Sequence, residues 1–205
     1  AINASFIPYL FRNIDTEGHQ GIRKASTLLL AVFALVSVLI SWLGPEIIKV
    51  LATDEYLASI TLMPPIAAGV FLTSISNLYS NILVYYKKTK YIMFAAIAAA
   101  VVNVALNLVA IPLFGYGAAA YTTLVSYIIL AVSQRAWATK ACRERGRIEL
   151  VYEDGKLGAL SLTCIAATMA GIFLYQTNVL RYVTCAVLLV LVAFLSVKAK
   201  SSRES

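Results

Sequence analysis

Between Tyr91 and Trp137 the chain offers two apolar runs, broken only at residues 112–116. About 20 residues of that kind are what a helix needs to cross the hydrocarbon core of a bilayer. The break has its own chemistry. Pro112 is expected to end the first helix, because its ring removes a backbone donor and clashes with the preceding turn. Gly115 and Gly117 permit a turn that bulkier residues would strain. Ala118, Ala119 and Ala120 then open the second run with almost no side-chain bulk, so a neighbouring backbone can come close. The pair predicts two membrane helices joined by a tight hairpin.

The same character extends over the whole chain. It has 205 residues, 60% hydrophobic and only 13% charged, with a mean hydropathy of +0.81. A soluble domain carries about 45–50% apolar and about 25% charged residues. The apolar residues fall in long runs, whereas barrel strands would read as shorter alternating segments. The expected fold is therefore all-α, a polytopic integral membrane helical bundle. Six complete spans are predicted at residues 25–43, 57–86, 91–111, 117–137, 157–175 and 179–197. The second is longer than a bilayer core requires, and Pro64 and Pro65 are expected to kink it. Residues 1–10 are apolar but too short to span, and read as the end of a preceding helix. With no signal-peptide pattern at the start, the chain is expected to be the C-terminal part of a longer protein.

Charge supports that threading. If the spans alternate in direction, 15 of the 17 Lys and Arg residues fall on one side, and Lys49 and Arg181 alone fall on the other. Cytoplasmic loops carry the Lys/Arg excess, so both ends of the six spans are expected in the cytosol. The net charge of +7 is then a matter of topology, and no nucleic-acid partner is expected.

Signals for chemistry are sparse. Cys142, Cys164 and Cys185 lack metal-ligand spacing; Cys142 is assigned to a loop and the others to spans, which argues against a disulfide framework. His19 stands in a polar loop and reads as solvated. No Asp or Glu falls inside a predicted span, although ion coupling usually needs a carboxylate at membrane depth. There is no phosphate loop, zinc-ligand cluster or plausible nucleophile–base pair. No catalytic residue, metal or cofactor is expected, and the chain does not read as an enzyme.

Three segments carry a family resemblance: PYLFRN at Pro8–Asn13, YYKKTK at Tyr85–Lys90, and the series Asn103, Asn107, Pro112, Gly115, Gly117, Ala118, Ala119, Ala120 and Thr122. With these features in order, the chain resembles the C-terminal half of a polysaccharide or oligosaccharide (O-antigen-type) flippase of the multidrug/oligosaccharidyl-lipid/polysaccharide exporter superfamily. The resemblance covers residues 1–134 best. It implies a two-lobe transporter working by alternating access, of which this chain supplies the second lobe. Residues 1–137 would be the core lobe, 138–156 a cytosolic connector, 157–197 an additional helix pair and 198–205 a cytosolic tail. The implied partners are membrane lipids, a polyprenyl-diphosphate-linked saccharide, the missing N-terminal lobe and polysaccharide assembly proteins. The implied location is the bacterial inner membrane.

Candidate site residues follow from polarity at membrane depth. Thr73, Ser74, Asn77 and Asn81 lie within about 100° of one helix face. They fit a cavity wall that binds sugar hydroxyls, or interhelical hydrogen bonding. Asn103 and Asn107 share a face with Ala96, Ala99, Ala100 and Ala110, which looks more like a packing seam than a cavity. Lys87, Lys88 and Lys90, with Arg12 and Arg23 on the same side, fit either capture of a diphosphate head group or plain topology setting and attraction to anionic lipid. Arg181, the odd cation, fits snorkelling to the external surface or a substrate contact. Pro112, Gly115 and Gly117 are assigned a turn and no chemistry. Rival functions are a cation-coupled multidrug exporter, a membrane polysaccharide polymerase or ligase, and a non-transporting envelope scaffold.

Overall fold

The structure, a computed structural model, describes residues 2–15, 19–51, 59–146, 151–177, 179 and 181–190. Among them there are helices and no strands: α1 (Ile2–Asn13), α2 (Gln20–Trp42), α3 (Gly44–Leu51), α4 (Met63–Tyr85), α5 (Lys90–Phe114), α6 (Ala118–Arg143), α7 (Asp154–Leu174) and α8 (Arg181–Val190). Four are long and apolar enough to cross a membrane: α2, α4 with its lead-in turn from Ser59, α5 and α7. α6 has the length, at 26 residues, but Thr, Ser, Tyr and Gln side chains dilute its apolar content. The sixth predicted span is described only through α8, and residues 191–197 lie outside the described residues.

Several boundaries differ from expectation for definite reasons. Pro64 and Pro65 stand in the first turn of α4, where backbone donors have no intrahelical partner to lose. They open the α-helix directly behind the lead-in turn from Ser59. Pro112 does not end α5. It sits inside the last turn, where its missing donor costs a single bond, and Gly115 N–H still reaches the Ile111 carbonyl at 2.8 Å. The break comes at Gly115, with φ 79° and ψ 179°, a combination essentially reserved for glycine. Gly117 has ordinary helical angles, and its hydrogen in place of a side chain makes room for Leu62. The predicted loop at residues 44–56 begins with helix α3. The predicted connector at 138–156 is helical at both ends, as α6 runs on to Arg143 and α7 starts at Asp154. Cys142 accordingly lies buried on α6 and not in a loop.

α4 is the central rod, packed against α2, α6 and α7, while α5 leans almost wholly on α6. Small residues bring α4 close to its neighbours. At Gly69 a Cβ would come within 2.8 Å of the Tyr127 ring, so glycine admits the aromatic side chain of α6. The main core joins Phe6 and Leu10 of α1, Leu30 of α2, Phe71 and Ile82 of α4, and Leu157 of α7. α7 is clasped to α2 by polar groups as well. Ser41 Oγ donates to the Thr168 carbonyl at 3.0 Å, and Trp42 Nε1 donates to the Ala167 carbonyl at 2.9 Å. α5 turns Val101, Val104, Leu108 and Leu113 outward, a large apolar surface of the kind a lipid-facing helix presents.

Candidate functional site

The polar positions of α4 divide by environment. Thr73 Oγ1 donates back to the Val70 carbonyl at 2.7 Å, and Ser74 Oγ reaches the same carbonyl at 3.4 Å. Both are half-buried, while Asn77 is exposed. It stands on an open stripe with Ile66, Val70 and Val84, recurring at helical spacing. Asn81 is buried against the bundle, and its Nδ2 has no hydrogen-bond partner. The four residues that share a face in the sequence are thus split between an open surface and the packed interior.

Asn103 and Asn107 bind the hairpin together. Thr122 Oγ1 donates to Asn107 Oδ1 at 2.5 Å, and Asn107 Nδ2 donates to Asn103 Oδ1 at 3.1 Å. Asn103 Nδ2 reaches Thr123 Oγ1 at 3.4 Å. The amides form a ladder between α5 and α6, with Ala95 and Ala99 buried beside it and Ala96 and Ala100 exposed. The packing seam therefore runs one residue off the predicted face.

At the end of the bundle marked by the α4–α5 turn, cations and aromatic rings interleave. Lys87 is exposed with φ 55°. Lys88 Nζ donates to Glu144 Oε2 at 2.7 Å. That bond raises the Lys88 ammonium above its ordinary pKa and holds the Glu144 carboxyl below its own. Lys90 lies 5.2 Å over the Tyr91 ring, which stacks on Trp137 at 4.3 Å. Arg12 is exposed and Arg23 half-buried. They stand on α1 and α2, and the Tyr85 hydroxyl bonds the Asp15 carboxylate to bring the end of α1 to this same end. His19, expected in a solvated loop, occupies the N-cap position of α2 without a side-chain cap bond, and its Nε2 donates to the Ile14 carbonyl at 3.0 Å.

Three features escaped sequence reasoning. Ser80 Oγ donates to Gln134 Oε1 at 2.5 Å, and Gln134 is buried on α6; a glutamine near a run's end carries no periodic signal. Asp154 accepts from the Tyr79 hydroxyl at 2.7 Å and from Arg135 Nε at 2.8 Å, joining α4, α6 and α7. Beside them the buried Tyr152 hydroxyl donates to the Leu78 carbonyl at 3.2 Å, and burial pushes its phenol above the ordinary pKa. Arg181 does not snorkel. It is buried and paired with Glu46 of α3, and Tyr182 donates to the same carboxylate oxygen at 2.7 Å. Among the described residues no cluster of His, Cys, Asp and Glu could hold a metal ion.

Long apolar helices around an amide-bearing central rod define an all-α helical membrane protein. Residues 18–109, which include α2, α3, α4 and most of α5, match the MatE family. That match supports a multi-pass membrane transporter of the multidrug/oligosaccharidyl-lipid/polysaccharide exporter superfamily. No curated protein and no solved structure matches the chain.

Proposed function

We propose that this chain forms one lobe of a flippase that carries lipid-linked oligosaccharide or polysaccharide repeat units from the cytosolic to the external leaflet. The observation that carries this reading is Asn77. It is exposed on the helix with the most packing neighbours, about 12 Å along the axis from the Tyr85 end at 1.5 Å per residue. An amide at that depth is costly in lipid and is tolerated where it meets water or a polar partner. An exposed Asn77 therefore suits a water-lined cavity wall facing a second lobe, with Thr73 and Ser74 alongside to meet sugar hydroxyls. Alternating access would rock that wall between the two leaflets. Six spans with both ends in the cytosol, in a bacterial inner membrane, complete the proposal. α6 and α8 with residues 191–197 would be the spans beyond the four most apolar.

Deletion of the full-length gene should leave polyprenyl-linked units on the cytosolic side, and Asn77→Ala should lower export while leaving the protein folded. Normal surface polysaccharide in the deletion strain refutes the reading. The MatE match equally supports a second one, a cation-coupled multidrug exporter. Drug hypersensitivity of the deletion strain with intact surface polysaccharide would select it.

A further inference from the structure

The C-terminal third of α6 bears an open, shallow face that the residues weighed for transport do not use. Val132, Arg135, Ala136, Thr139, Lys140 and Arg143 line it. At 3.6 residues per turn these positions fall within about 140° of one helix face. The lining is graded along the axis. Val132 and Ala136 form an apolar upper part, and Lys140 and Arg143 follow as cations toward the helix end.

Much of that positive charge is uncompensated. Arg135 is held by Asp154 at 2.8 Å. Lys140 lies 5.4 Å over the Trp137 ring, a contact that leaves its charge in place. Arg143 is exposed and has no ion pair among the described residues. The nearby Glu144 bonds Lys88 at 2.7 Å and lies within electrostatic reach of Lys140 as well, so Arg143 is the cation of this face with no carboxylate partner among the described residues. The Thr139 hydroxyl donates to the Arg135 carbonyl at 2.9 Å, so its proton is not available to a ligand. Selectivity then falls to two cations next to an apolar strip.

Depth is marked independently. Trp137 of α6 stacks on Tyr91 of α5 at 4.3 Å beside this stretch, and such rings concentrate at the head-group level of membrane proteins. With the rings at head-group level, a cation pair just beyond them would meet lipid phosphates, and the apolar part would face the acyl chains. A free phosphate would engage the cations and leave the apolar part unused. The geometry points to an interfacial site on this face of α6 for the phosphate of an anionic phospholipid. The site is separate from the transported substrate, so it stands or falls apart from the flippase reading.

The test compares the full chain with Lys140→Gln/Arg143→Gln. Binding of phosphatidylglycerol and phosphatidylcholine to detergent-solubilised protein is followed by native mass spectrometry. A lysine or arginine near an anionic surface contributes enough that each loss should cost roughly fivefold in affinity. The double variant should thus bind phosphatidylglycerol roughly 25-fold more weakly, with phosphatidylcholine unchanged. Lys24→Gln, which removes an exposed cation on α2, should leave both unaltered. Arg135 is kept in every variant because it holds Asp154. Undiminished phosphatidylglycerol binding in the double variant overturns the proposal, as does an equal loss in Lys24→Gln. Inorganic phosphate displacing the lipid at matched concentration also overturns it, by marking a free-anion site. If the double variant fails to fold, Arg143→Gln alone carries the comparison.

Discussion

Arg181 of α8 donates its guanidinium to Glu46 of α3, joining residues 135 positions apart in the chain. The arginine is 3% exposed and the carboxylate 32%. Its ring neighbours are Tyr175 and Tyr182, with centroids 5.9 and 5.2 Å from the guanidinium carbon. Arg181 Nε and Glu46 Oε2 have no hydrogen-bond partner. Removing one partner leaves the other charge stranded, which costs about 3–5 kcal/mol for a fully buried pair. Partial exposure of Glu46 lowers the expected cost of Glu46→Gln to about 1–3 kcal/mol. Arg181→Met in the same chain should restore part of it. Thermal unfolding in detergent measures both, and a Glu46→Gln midpoint equal to wild type would show that the pair contributes nothing.

Asn77 and Asn107 should separate function from stability. Asn107 closes the ladder between α5 and α6, and interhelical bonds of this kind are worth about 0.6–2 kcal/mol. Asn107→Ala should lose about that much on denaturant titration. Asn77 makes no such bond among the described residues, so Asn77→Ala should be near neutral by the same measure while lowering transport. Equal stability losses for the two would mean that Asn77 is packed after all.

Gly115 should resist substitution despite lying in open space. Nothing stands within 4 Å of a Cβ built there, so sterics with neighbours are not the issue. The cost comes from its own backbone angles, about 1–3 kcal/mol for a residue with a side chain. Gly115→Ala should lower the unfolding midpoint, whereas Gly155→Ala, also in open space but helical, should not. Equal behaviour of the two variants would contradict the backbone argument.

The pair Lys88–Glu144 predicts a two-sided pH dependence. The hydrogen bond from Lys88 holds the Glu144 carboxyl below its ordinary range, so its stabilisation is complete above the unfolded value. It is lost as pH falls through the depressed folded one. Lys88 is raised by the same bond, so its contribution holds below the unfolded value and is lost as pH rises through the raised folded one. Glu144→Gln should therefore flatten both flanks of the stability profile, and 1 M salt should reduce the difference. The profile of unfolding midpoint against pH reports both limbs, and matching profiles for variant and wild type would remove the pair from the account.

The helical class and four of the predicted spans were legible in the sequence because they rest on a local quantity. Transfer of about 20 apolar residues into a bilayer depends on those residues alone, so residues 25–43, 57–86, 91–111 and 157–175 point to α2, α4, α5 and α7 without knowledge of neighbours. The hairpin was legible too, although the helix outlasts Pro112 by two residues because a last-turn proline forfeits only one bond. The role of the α4 prolines was less legible. A kink and a first turn use the same residue, and the start of a helix was not marked in an apolar run.

Sequence alone determined that this chain is a set of apolar helices with amides at membrane depth, since length, apolarity and glycine chemistry act within a single segment. Only the tertiary structure decided which amides are spent and which are open. Asn103 and Asn107 meet Thr123 and Thr122 across a hairpin, Asn81 is turned inward, and Asn77 is left exposed on the same helix. The burial of Arg181 against Glu46 belongs to the same category. A side chain's partner is set by helices that arrive from distant parts of the chain, and no periodicity within one segment records them.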